Sequence, residues 1–103
     1  MLNFKAFAKQ AQKMQQAVEE VQEELSRRRV EVSSGGGMVR VVCDGLQNLV
    51  ELKIDPTVVD PGDVEMLEDL IVAAVSEGRK AAQKLAADEL AKVTGGMRIP
   101  GLF

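Results

Sequence analysis

The chain is predicted to fold as an α+β domain in the order helix, three strands, helix. Three observations predict it. Apolar residues recur at helical spacing in two long segments, one in each half of the 103-residue sequence. Between these segments β-branched residues dominate short runs on either side of an Asp-Gly pair. Loop signals separate the runs: Ser33-Ser34-Gly35-Gly36-Gly37 ahead of the pair, Asp55-Pro56 and Asp60-Pro61 after it. Short consecutive strands beside long helices favour an antiparallel meander.

In the first helix Phe4, Phe7, Ala11, Met14, Val18, Val21 and Leu25 are spaced 3, 4, 3, 4, 3, 4, the a/d seam of a coiled-coil-like helix. Asn3 can cap it by accepting from a free backbone N–H. The helix is expected to end near Arg28, after roughly 37 Å at about 1.5 Å per residue. Lys5, Lys9 and Lys13 fall at heptad positions b, f and c, away from the seam, and residues 1 to 18 contain no acid. Glu19, Glu20, Glu23 and Glu24 follow, then Arg27, Arg28 and Arg29. Pairing with Glu23 and Glu24 at helical spacing accounts for these arginines as well as an anionic target does.

Val30 to Val32 alternates as a short strand, and Ser33 to Gly37 reads as a flexible loop. Met38 to Cys43 forms the second strand. Asp44-Gly45 is a hairpin signal because both residues tolerate positive φ. The third strand places Val50, Leu52 and Ile54 on a face expected to be buried, with Glu51 and Lys53 on the other. Asp60-Pro61-Gly62-Asp63 opens the second helix, with Pro expected in its first turn. Its seam is Leu67, Ile71, Ala74, Gly78, Ala81 and Leu85, ending before Gly95-Gly96. Gly78, with Ala74, Ala81 and Ala82, makes a smooth patch that another backbone can approach. Residues 97 to 103 form an apolar end, read as loosely docked.

Composition sets limits on function. The length suits one domain, residues 1–103. No apolar run approaches the roughly 18 residues of a membrane span, and no signal-peptide core is expected. One Cys points to a reducing compartment, with Cys43 as a small buried strand residue. There is no His, so imidazole catalysis and His metal sites are excluded, and one Cys cannot build a cysteine zinc site. The Gly/Ser run lacks the Lys-Ser/Thr of a phosphate loop. No enzyme activity, cofactor or small-molecule substrate is expected. Net charge is −3, but it is unevenly spread. Residues 44 to 69 carry a balance of −7, residues 1 to 18 carry +3, and residues 79 to 98 carry +3. Local fields, not the total, steer a polyanion.

The chain resembles the YbaB/EbfC nucleoid-associated proteins of bacteria over nearly its whole length. The resemblance lies in Phe7-Ala8-Lys9-Gln10-Ala11-Gln12-Lys13-Met14-Gln15, Gly37-Met38-Val39-Arg40-Val41, Asp44-Gly45 and Ile54-Asp55-Pro56. It continues through Glu65-Met66-Leu67-Glu68-Asp69-Leu70-Ile71-Val72-Ala73-Ala74 and Gly95-Gly96-Met97. It implies an α-β-β-β-α homodimer with protruding, tweezer-like helices, a cytoplasmic, nucleoid-associated location and binding to double-stranded DNA.

Phosphate contacts are then expected from Lys5, Lys9 and Lys13 and from Lys84, Lys92 and Arg98 toward the end of the second helix. The dimer interface is expected at Leu67, Ile71, Ala74 and Gly78 with Val41 of the sheet. With three Phe, no Trp and no Tyr, base-stacking recognition of single strands is disfavoured. The competing reading is a protein-interaction scaffold whose lysines serve solubility.

Overall fold

A computed structural model describes residues 3–94 of the chain. Helix α1 (Phe4–Arg27) leads into strands β1 (Arg29–Ser34), β2 (Val39–Asp44) and β3 (Leu49–Ile54), and helix α2 (Val64–Thr94) follows. The strands form one antiparallel sheet in the order β1-β2-β3. This is the α-β-β-β-α order expected from the sequence.

Asn3 caps α1 as its residue type predicts: its Oδ1 accepts from the Ala6 amide at 3.3 Å. The β1–β2 connection is tighter than a flexible loop. Ser33 and Ser34 belong to β1, and Gly35, Gly36 and Gly37 all take positive φ in a single 3-10 turn. The Ser34 hydroxyl donates to the Leu70 carbonyl at 2.6 Å, tying this turn to α2.

The hairpin between β2 and β3 uses Asp44-Gly45 differently from the expectation. The residue with positive φ is Gln47, not Gly45. Asp44 organises the loop by accepting from the Leu46 and Asn48 amides at 2.8 and 3.0 Å and from Asn48 Nδ2 at 2.9 Å. Burial works to raise its pKa, but these hydrogen bonds and the nearby Arg29 outweigh it and hold the carboxyl below its usual value. Gly45 is required for space. Its amide donates to the Leu25 carbonyl at 2.8 Å, and a Cβ there would lie 2.6 Å from that oxygen.

Pro61 also sits outside its expected place. Pro61 and Gly62 form a turn ahead of α2, in which the Asp60 side chain accepts from the Gly62 amide. Asp63 then caps α2, accepting from the Met66 amide at 3.2 Å. The helix runs to Thr94; Gly95-Gly96, Arg98 and the apolar end lie outside the described residues.

Helix α2 crosses β1 and β2 and then packs on α1. Val39, Val41 and Ala74 are fully buried where it crosses, flanked by Val32, Leu67, Leu70, Ile71 and Val75. Gly78 permits this contact: a Cβ there would stand 3.0 Å from both Cys43 Sγ and Val41 Cγ2. What packs against Gly78 is therefore the side chains of the chain's own sheet.

Candidate nucleic-acid interface

The molecule is long, 73 × 21 × 17 Å, because α1 projects away from the sheet. It joins the sheet at the Asp44–Gly45 end, and α2, after crossing the sheet, runs antiparallel back along it. The α1 seam records this geometry. Leu25 is 1% exposed, Val21, Val18 and Met14 are half-buried, Ala11 is exposed, and Phe7 and Phe4 are 65% and 76% exposed. Together, α1 and the second half of α2 make an arm whose outer end is helix α1 alone among the described residues.

Lys5, Lys9 and Lys13 are exposed on this arm, and among the described residues no acid lies within ion-pair distance of them. They fall on the side of α1 opposite Phe4, Phe7 and Ala11, at about 100° per residue. Lys84 is exposed on α2, nearer the sheet. Lys92 is exposed but engaged: its Nζ lies 3.1 Å from Glu89 Oε1, which also faces Arg28 at 3.7 Å. Arg27 pairs with Glu24 at 3.0 Å, and Arg29 donates to the Ser26 and Arg28 carbonyls. These arginines close the joint between helix and sheet.

The opposite pole is acidic. Asp55, Asp60, Asp63, Glu65, Glu68 and Asp69 are all exposed where β3 leads into α2. The Thr57 amide and hydroxyl hold the Asp55 carboxyl below its usual pKa. The three-stranded sheet carries charge on its outer face too, but as pairs: Arg40 with Glu31 at 3.8 Å and Lys53 with Glu51 at 3.3 Å. Among the described residues no group of three or more potential ligands could hold a metal ion. No helix among the described residues is long and apolar enough to cross a membrane.

The five residues expected at a dimer interface divide. Val41, Ala74 and Gly78 fill the protomer's own core, while Leu67 and Ile71 are half-buried at its margin. Strand β3 shows what the sequence reading missed. Because α2 covers only β1 and β2, Leu49, Val50 and Leu52 remain 45%, 49% and 40% exposed. Leu52 stands opposite Val41 and Ile54 opposite Val39, on the α2 side, and Val50 is the extra residue of a bulge. The signal was present as an apolar strand face; nothing in the sequence said that the helix would stop short of it.

A model of the YbaB/EbfC DNA-binding family matches residues 1–97. A nucleoid-associated protein of Thermoanaerobacter pseudethanolicus is 50% identical over 101 residues, covering 98% of this chain and 91% of its relative. Another from Acetivibrio thermocellus is 53% identical over 102 residues, covering 98% and 90%. The crystal structure of an uncharacterized protein from Helicobacter pylori superposes with a TM-score of 0.82 at 25% identity, covering 92% of this chain and all of that one.

Proposed function

The chain belongs to the YbaB/EbfC DNA-binding family, and on that premise we propose that it binds duplex DNA as a homodimer, mainly through phosphates. The observation that carries this reading is the arm. Three lysines without acidic partners among the described residues line one side of a protruding helix, and acids gather at the far pole. A polyanion is attracted to the arm and repelled from the base, so contact is confined to the arms. Lys5, Lys9 and Lys13 neutralise phosphates and release counterions, with Lys84 and Lys92 as further contacts nearer the sheet. Little base readout is needed, which suits a role in organising the nucleoid, with effects on gene expression, in the cytoplasm.

Dimerisation rests on the uncovered β3 face. The protomer exposes 7526 Å², against about 5700 Å² for a compact monomer of its mass; the projecting arm and the uncovered β3 face both contribute to the excess. Leu49, Val50 and Leu52 with Leu67, Ile71 and Val72 form the self-complementary patch, and two arms then extend from one base.

The test is a salt series of binding to a labelled duplex of arbitrary sequence, with mass measured in the same buffers. A dimer making about 6 to 10 phosphate contacts loses about 10³ to 10⁵ in affinity between about 50 and 200 mM salt. A dimer that ignores DNA at low salt would overturn the reading in favour of a protein scaffold.

A further inference from the structure

We infer that the apolar end of the chain, residues 97 to 103, docks on the exposed outer half of the α1 seam within the same protomer. The seam is one continuous stripe, yet its burial changes along it, from Leu25 at 1% exposure to Phe4 at 76%. The inner half is covered by α2. Past the last described residue of α2, Thr94, the seam continues through Ala11, Phe7 and Phe4 with nothing over it among the described residues. A shallow groove lined by Phe7, Gln10, Ala11 and Met14 marks this stretch.

Direction, reach and composition all favour this occupant. Helix α2 runs antiparallel to α1, so the chain leaves Thr94 heading toward Phe4. From Val18 to Phe4 the helix spans about 21 Å at about 1.5 Å per residue. Residues 95–103, at about 3.3 Å each, reach about 30 Å. Glycines disfavour helix, and beyond Gly95-Gly96 the sequence offers Met97, Ile99, Leu102 and Phe103 as apolar side chains. Lys5, Lys9 and Lys13 lie on the opposite side of α1, so a tail on the seam leaves them free. Docking of the tail would not depend on DNA binding.

The chain contains no Trp and no Tyr, so one introduced indole reports on the seam without background. Phe7→Trp is made in the full chain, alone and together with Leu102→Asp and Phe103→Asp. Expected for the single variant is a blue-shifted emission, independent of protein concentration, with several-fold weaker quenching by acrylamide than in the triple variant. Helix content and oligomeric mass should match between the two. An indole as exposed in the single variant as in the triple variant overturns the inference. So does one that stays shielded in both, which would mean that another element covers the seam. Shielding that disappears on dilution would assign the cover to a second copy and overturn docking within one protomer. A second measurement serves if the charged variants misfold. Oxidation of Phe7→Cys/Leu102→Cys should give a cross-link within one chain, and a product linking two chains counts against the proposal.

Discussion

At the sheet end, Val39, Val41 and Ala74 are sealed between two layers, and every strand of the outer face carries charge in pairs. At the arm end, among the described residues, two phenylalanines have no layer over them and three lysines have no acidic neighbour. Both regions are built from the same kind of repeat, an apolar stripe on a helix. Only where a second layer crosses the stripe does it become core. On the proposed reading, stability and ligand attraction lie in separate parts of the molecule, so each can be perturbed with little cost to the other.

The largest effect expected from breaking this separation is on DNA. Changing Lys5, Lys9 and Lys13 together to Glu should abolish duplex binding, a loss of about 10³-fold or more at moderate salt. Dimer mass and melting temperature should stay near those of the parent. Fluorescence anisotropy and sedimentation check the two halves, and unchanged affinity would remove α1 from the interface.

Next is the base. Ile71→Asp puts an unpaired charge against the proposed dimer patch and should weaken association by about 10² to 10³-fold. Val72→Asp, on the exposed flank of the same patch, should dissociate the dimer without unfolding the protomer. A normal dimer for both variants would place the interface elsewhere.

Two substitutions probe the joint between the regions. Gly45→Ala forces a Cβ against the Leu25 carbonyl, and backbone cannot swing away as a side-chain tip can. It should cost about 1–3 kcal/mol by overpacking, read by denaturant unfolding. Asp44→Ala leaves two or three hairpin donors without their acceptor and should cost about 1–3 kcal/mol. Because the folded state lowers the Asp44 pKa, its contribution is complete above the usual aspartate value. It is lost as pH falls through the lowered one, so parent and variant should converge in acid. The smallest effect belongs to Arg28→Ala. Its partly exposed pair with Glu89 is worth at most about 1 kcal/mol.

Much of this contrast was legible in the sequence. The seam of α1, the Asn3 cap and the acid-free first 18 residues are local patterns, and local physics reads them. Burial along the seam was not legible, because Phe4 and Leu25 occupy equivalent heptad positions and differ only in what lies opposite. The same limit explains β3, whose apolar face looks like core until α2 is seen to pass over its neighbours. It also explains Gly78. Its small size signalled a close approach, but whether the chain's own sheet or a second copy came close is a matter of topology, and it is side chains of the sheet that fill the space. At Asp44-Gly45 the turn was read correctly as a place but not as a mechanism. The glycine serves packing against Leu25, and positive φ falls on Gln47.

The contact at Gly45 has a mechanical side. Helix α1 is 24 residues long, about 36 Å at about 1.5 Å per residue, and the contact of the Gly45 amide with the Leu25 carbonyl at its base is the pivot about which it would tilt. A tilt of about 10° at that pivot would sweep the far end through about 6 Å, close to two steps along a duplex strand at about 3.4 Å each. In the proposed dimer, packing at one glycine would thus set the span between two levers, and with it the spacing of the phosphates they could grip at once.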